Sequence, residues 1–514
     1  MQTTAQTPIP RKPAKAFSRK AHWTCCVSAA AALQLVACGA GGDGPAPLPL
    51  AATVGGAAPD LRVQTVPAPS TCDSQVNDTA QLLLACMTLE GVRTHQAALA
   101  QVAKNHNGTR MAGTPGYDAS VAYARQVLAD AGYRVTVQSF EFPRFQVESS
   151  TVQEVGLLAA QPIPHHVLDY SGSGDITAPV SSLRAPAGCE AADFAGFPRG
   201  HIALVRRGSC DLSDKVEHAA QAGAAGVVVY DHDQGELTGS LSSDAPRDIP
   251  VIMVSQEQGQ RLAQRTLAGV QLRLHTETSR QLKTTYNVFA QSVGGDPGHV
   301  TMVGAHLDSV RAGGGNNDNG SGAAAVLETA RLMARVQPVN QLRFALWGAE
   351  EQGLLGSTHY VANLDAAERA QIGVYLNFDM IGSPNHVFSV YGGDGFSGSQ
   401  VVARPLASAH IVDVLSQFYA DRNIPSKRLS AGGRSDHKPF ADVGIPFGGI
   451  FTGAEEIKSA QEAAIWGGRA GVAFDPCYHR ACDNLDNYAP QALDVNADAV
   501  ANATLFFAMN KVAG

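Results

Sequence analysis

Three apolar runs in this chain each lead to a residue that can bind a metal, and that pattern constrains the fold more than any other feature. Val300–His306 is apolar up to its histidine, Leu342–Trp347 leads into Glu350 and Glu351, and Val374–Phe378 ends beside Asp379. Such short runs read as buried strands. In an open α/β sheet, ligands gather at the carboxyl ends of the strands, near the point where strand order reverses. Adding Asp318 and His479 gives two imidazoles and three carboxylates, a donor set suited to hard-to-borderline divalent ions and able to hold two zinc ions. It contains no thiolate, which argues against a structural zinc site.

The 514 residues are enough for two or three domains, and 45% apolar with 16% charged residues can bury a substantial core. A net charge of −8 gives no electrostatic reason to expect nucleic acid as a partner. Arg11, Lys12, Lys15, Arg19 and Lys20 precede an apolar stretch from Trp23 to Ala37, too short for a comfortable membrane span and fitting a signal-peptide core. Its end, Leu35-Val36-Ala37-Cys38, resembles the bacterial lipobox, which implies lipidation at Cys38; ordinary signal cleavage nearby is the alternative. The chain is therefore expected to be exported, either secreted or lipid-anchored to the cell envelope, with the outer membrane favoured. Membrane contact is expected only through Cys38. Residues 1–38 read as this leader, and the Ala/Pro/Gly-rich residues 39–74 read as a tether.

Six of the nine cysteines lie beyond the leader, an even number that suggests disulfides in an exported chain. Nearest-neighbour pairing gives Cys72–Cys86, Cys189–Cys210 and Cys477–Cys482. Metal binding by these cysteines is the weaker option, because no CxxC spacing occurs.

Helical spacing marks Leu89–Ala103 and Tyr117–Ala131, and Tyr133–Phe142 alternates like a strand. From about Phe145 to Leu282 the texture changes, with strand-like Ile202–Val205 and Gly226–Tyr230 flanking a short helix at Ser213–Ala222. Cys189–Phe194, Ile202–Cys210 and Ala222–Val227 in this stretch resemble the protease-associated domain. That resemblance implies a non-catalytic lobe which shapes substrate access; an inert structural lobe is the plainer reading. The expected organisation is a discontinuous catalytic domain (75–145 and 283–514) split by an insertion (146–282). No internal repeat is evident.

The motifs carry separate chemical arguments. Asp308 follows His306 by two residues, so on a continued strand it would face the same way and accept a hydrogen bond from the ring nitrogen turned away from the metal. Asp318 lies at the entrance to a helix spanning Ala323–Val336, where it or Asn319 could equally serve as an N-cap. Glu350 and Glu351 are adjacent acids after a buried strand, an expensive arrangement unless a cation or proton compensates. One can bind metal while the other acts as general base. His479 sits in a tight loop, Cys477–Cys482, which a disulfide could close. Two Zn²⁺ carry four positive charges against the three negatives of Asp318, Glu351 and Asp379, and two-metal sites need a bridging carboxylate.

His306–Val310, Asn317–Gly322, Gly348–Glu351, Asn377–Gly382, Gly433–His437 and Cys477–His479 together resemble the motif series of the secreted bacterial di-zinc aminopeptidases. Gly448–Ala454, Cys482–Leu485 and Gly113–Tyr117 add to the likeness. It implies a mixed α/β zinc-peptidase fold, a β-sheet sandwiched by helices, with the β-rich α/β insertion beside it. It also implies two Zn²⁺ per chain: His306 and Asp379 on one, Glu351 and His479 on the other, Asp318 bridging. Glu350 would be the general base and then acid, Tyr478 would help stabilise the oxyanion, and Asp308 would orient His306. Arg434 is either a cleft residue or an ordinary surface arginine. The implied substrates are peptides with a free N-terminus, with large apolar first residues favoured.

Rival readings use the same fold. Single-zinc glutaminyl cyclisation is disfavoured by five intact ligands, and a glutamate-releasing carboxypeptidase is a further rival. A non-catalytic binding protein on the same fold is the alternative from another class; such proteins can lose ligands or the base, and all are present here. A serine hydrolase lacks its G-x-S-x-G elbow.

Overall fold

The computed structural model describes residues 71–156, 162–230, 239, 241, 248–393 and 405–511. Cys38, the leader and residues 39–70 of the tether lie outside them.

Among the described residues, thirteen strands form one sheet. Its centre is parallel, with Phe447–Phe451, Ile372–Phe378, Asp296–His306 and Asn340–Trp347 side by side in that order. The register pairs His306 with Trp347, Asn377 with Gly304 and Phe378 with Ile450, so these strands end along one edge. Both faces are covered, which is why the runs are continuously apolar. Their side chains follow the period of two: Val303, Ala305, Phe344 and Leu346 enter one core, while Met302, Ala345 and Trp347 enter the other. Helices Leu89–Asn105, Gly320–Leu332 and Pro490–Met509 build the first core. The second is an aromatic cluster in which Tyr375 stacks on Phe440 at 3.9 Å between ring centroids.

Local chemistry sets the helix starts. Thr88 caps Leu89–Asn105 by accepting from the Gly91 amide at 3.1 Å, and Thr114 caps Pro115–Asp130 with proline inside the first turn. Asn319, not Asp318, caps Gly320–Leu332, accepting from the Gly322 amide at 2.9 Å. Gly322 allows this helix to press on the strand bearing Asp379, because a Cβ there would lie 2.2 Å from the Phe378 carbonyl oxygen.

Past Asn340–Trp347 the sheet continues through antiparallel Gln271–Gln291 to Gly174–Ser182. From there it runs through parallel Ile202–Arg206, Gly226–Tyr230 and Val251–Val254, the strands of the inserted lobe, which has its own apolar core. Gln271–Gln291 also pairs along its length with Arg134–Glu154, from Arg134 opposite Gln291 to Glu154 opposite Leu272. Phe145 and Leu282, where the sequence texture changes, thus lie inside two unbroken 21-residue strands. What changes there is the surface the ribbon packs on, and the pairing shifts register by one residue between Val147 and Ser149. Disulfides join Cys72 to Cys86, Cys189 to Cys210 and Cys477 to Cys482.

Candidate metal centre

The common edge of the parallel strands collects five side chains. His306 closes its strand, Asp379 follows Phe378, and Glu351 lies in the turn after Trp347. Asp318 precedes the buried helix, and His479 comes from the loop closed by Cys477–Cys482. The two oxygens of Asp318 divide between the histidines: Oδ1 is 3.2 Å from His306 Nε2 and Oδ2 is 3.2 Å from His479 Nε2. Asp379 Oδ1 lies 3.4 Å from His306 Nε2, and Glu351 Oε2 lies 3.0 Å from His479 Nε2. Two groups result, His306/Asp318/Asp379 and Asp318/Glu351/His479, each with ligand atoms within 4.8 Å of one another. Glu350 belongs to neither, with Oε2 3.9 Å from His306 Nε2.

The residues fit a pair of divalent cations. Glu351 Oε1 and Asp379 Oδ1 are buried without a hydrogen-bond partner, a costly state that a cation would relieve. The backbone is held in the left-handed region at three non-glycine positions of the site: Ala349 (φ 55°) before Glu350, Met380 (φ 50°) after Asp379, and His479 itself (φ 59°). Strain of this kind persists only where surrounding structure enforces it, and it clusters at functional sites.

Neighbouring groups fix the set. The His306 Nδ1–H donates to the backbone carbonyl of Asp308 at 3.2 Å, which leaves Nε2 facing the acids. This differs from the sequence expectation that the Asp308 carboxylate accepts, since that group is 3.7 Å away. The strand ends at His306, so strand alternation no longer governs Asp308. Its carboxylate instead accepts from the amides of Glu350 (3.2 Å) and Glu351 (3.4 Å). Ser435 Oγ donates to Asp379 Oδ2 at 2.6 Å and accepts from Asn377 Nδ2 at 2.8 Å. Asp483 accepts from the amides of Asn317 (2.8 Å) and Asp318 (3.1 Å), tying the Asp318 turn to the end of the His479 loop. Fully buried Arg110 donates to the carbonyls of Leu307, Gly314 and Gly315 and so braces the loop between His306 and Asp318.

Electrostatics describe a site short of positive charge. Burial raises Glu350 well above the ordinary carboxylate range, with His306 pulling the other way. Burial likewise brings Glu351 up to about 7 against the pull of His479. Burial opposes charge on His306 too, yet the Glu350 and Asp379 carboxylates raise it well above its usual value. His479 is raised in the same way, burial being overridden by Glu351 and Asp318. Asp318 is held below the carboxylate range, because its bonds to both histidines overcome burial.

Tyr478 stacks on His479 at 3.8 Å between centroids, and burial keeps its phenol protonated despite Arg434. Arg434 Nη2 donates to the Tyr478 oxygen at 3.2 Å while Nη1 pairs with Glu455 at 2.9 Å. Arg434 is thus linked to Tyr478. Sequence reasoning assigned no role to Ser435, Asp483 or Arg110. Ser435 and Asp483 stand in polar runs beside an aspartate and a cysteine, a signal available in the sequence; Arg110 carried none.

Comparison with known proteins agrees with this geometry. Residues 287–504 match peptidase family M28, and residues 173–262 match the PA domain. The chain is 41% identical over 467 residues to an aminopeptidase of Pseudomonas aeruginosa, covering 86% of this chain and 85% of that one. It is 38% identical over 403 residues to a probable leucine aminopeptidase 2 of Aspergillus oryzae, covering 78% and 80%. Among solved structures, an aminopeptidase from Aneurinibacillus sp. strain AM-1 superposes with a TM-score of 0.68 at 27% identity, covering 84% of this chain and 96% of that one. A zinc aminopeptidase from Bacillus subtilis gives 0.63 at 26%, covering 83% and 97%. Fold and clustered donors define a metallopeptidase. The chain belongs to peptidase family M28 with a PA domain, and is a peptide-bond hydrolase of the aminopeptidase type.

Proposed function

We propose that this chain is an exported, two-zinc aminopeptidase that removes large apolar N-terminal residues from peptides. The observation that carries this reading is the division of Asp318 between two ligand groups, one oxygen toward each histidine. His306 and Asp379 would hold one zinc and Glu351 and His479 the other, with Asp318 shared. When bound, the ions supply Lewis-acid polarisation of the scissile carbonyl and lower the pKa of water.

The protein's own groups do the rest. Glu350, outside both ligand groups, takes a proton from the attacking water and returns it to the leaving amine. Asp308 holds that carboxylate's backbone in place through the Glu350 amide. The protonated Tyr478 phenol, accepting from Arg434, keeps its own O–H free to donate to the tetrahedral oxyanion. The apolar preference is supported by likeness to proteins named leucine aminopeptidase. Export and lipid attachment at Cys38 rest on the lipobox-like segment, and on 37% identity to a Mycobacterium tuberculosis protein named "Probable lipoprotein aminopeptidase LpqL". No helix among the described residues is long and apolar enough to cross a membrane.

The test is product analysis on matched peptides, one with a free N-terminal leucine and one with that amine acetylated. Release of free leucine from the first alone is expected. Equal cleavage of both, or cleavage inside the chain, would refute exopeptidase action.

A further inference from the structure

Arg311, in the loop between His306 and Asp318, helps line a cavity of about 490 Å³ whose walls also include Arg144, His106, Asn107 and Thr109. Neither arginine makes an ion pair among the described residues. Arg144 Nη1 has one long contact, 3.5 Å, with the Gly113 carbonyl, and its buried Nε has no partner. The Arg311 charge reaches Arg144, which is lowered by burial and then by Arg311. Arg144 is half buried with donors to spare, and exposed Arg311 faces it with Asp169 as the carboxylate in reach, so an incoming anion would meet two guanidinium groups at one cavity wall.

Position says which anion. Arg311 stands in the loop between His306 and Asp318, and that loop is tied to the cavity wall by Thr109 Oγ1, which donates to the Val310 carbonyl at 2.8 Å. Gly313 in the same loop packs on the Arg480 carbonyl, next to His479. Asp169 of the inserted lobe lies within electrostatic reach of both Arg311 and His479. The adjacent Tyr170 donates to the Gln352 carbonyl at 3.5 Å, just past Glu350 and Glu351. Loop and lobe therefore approach one another near His479 and the turn that follows Glu350 and Glu351, and Arg311 belongs to that loop.

We propose that Arg144 and Arg311 form a subsite for the C-terminal carboxylate of short peptides, on the leaving-group side of the metal cluster. This rests on the aminopeptidase reading above. Extended peptide advances roughly 3.4 Å per residue, so a few residues past the scissile bond reach a neighbouring loop. Arginine forks are suited to a carboxylate, which they bind through paired, charge-assisted hydrogen bonds.

The test uses the full-length, zinc-loaded protein and the peptides Leu-Gly, Leu-Gly-Gly and Leu-Gly-Gly-Gly, each as free acid and as C-terminal amide. The quantity read is the acid-to-amide ratio of kcat/KM, which cancels any general loss of activity. The native protein is expected to favour the acid by about tenfold at one length. In Arg144→Met and in Arg311→Met that ratio falls toward one. Arg311 is exposed, so its variant keeps the test open if Arg144→Met fails to fold. A native ratio near one at every length, or a ratio that survives Arg311→Met, overturns the subsite. Leucyl-anilide has no carboxylate and separates the two readings. If the native protein hydrolyses it while the ratio is one, the subsite alone falls; if the native protein leaves it intact, the aminopeptidase reading falls.

Discussion

The proposed function gives Asp318 and Glu350 different work at nearly the same place, and substitution separates them. Asp318→Asn keeps one oxygen acceptor but loses the charge shared between the histidines, so zinc content is expected to drop from two per chain toward one, read by elemental analysis. Glu350→Gln removes a group outside both ligand sets. It should keep its zinc and lose about a thousandfold in kcat. Loss of zinc in that variant would make Glu350 a ligand instead of a base. Proton linkage gives a third expectation. Without metal, Glu351 is raised to about 7, and Glu350 and both imidazoles are raised as well. The metal-free site therefore holds protons that a cation must displace. Zinc binding should release protons, and the share from Glu351 should shrink as pH rises through about 7, where that carboxyl is already ionised. Calorimetry in buffers of different ionisation enthalpy reads this directly.

At the scale of elements, the site depends on strand ends and on one helix that comes very close. Gly322→Ala would place a methyl against the Phe378 carbonyl and the Asn319 side chain. It is expected to cost about 2 kcal/mol, read as a lowered Tm, because neither neighbour is the free end of a flexible chain. The strands were legible in the sequence because burial on both faces leaves an unbroken apolar run, and His306 and Asp379 were legible because they interrupt it. The helix after Asp318 begins at Gly320, ahead of the expected Ala323, since the Asn319 cap acts before the apolar spacing is established. Asp308 was harder: its carboxylate turns to the Glu350 and Glu351 amides once the strand has ended, and sequence spacing carries no sign of that. Arg110 was not legible at all, because its partners are backbone carbonyls roughly two hundred positions away, which no side-chain pattern encodes.

Across the whole molecule, the change of texture near Phe145 and Leu282 was visible, but its structural meaning was not. Both positions lie within paired strands that run from the catalytic core into the inserted lobe. The lobe is thereby joined to the core by a ribbon, and its Tyr170 reaches the turn that carries the paired glutamates. The central claim, two zinc ions held by five residues at one sheet edge, is tested most directly by counting zinc per chain while leucyl-anilide turnover is followed through chelation and stepwise zinc return. Two zincs per chain, with activity lost to the chelator and regained as zinc returns, is the predicted result. Full activity with no bound metal, or activity indifferent to chelation, would contradict it.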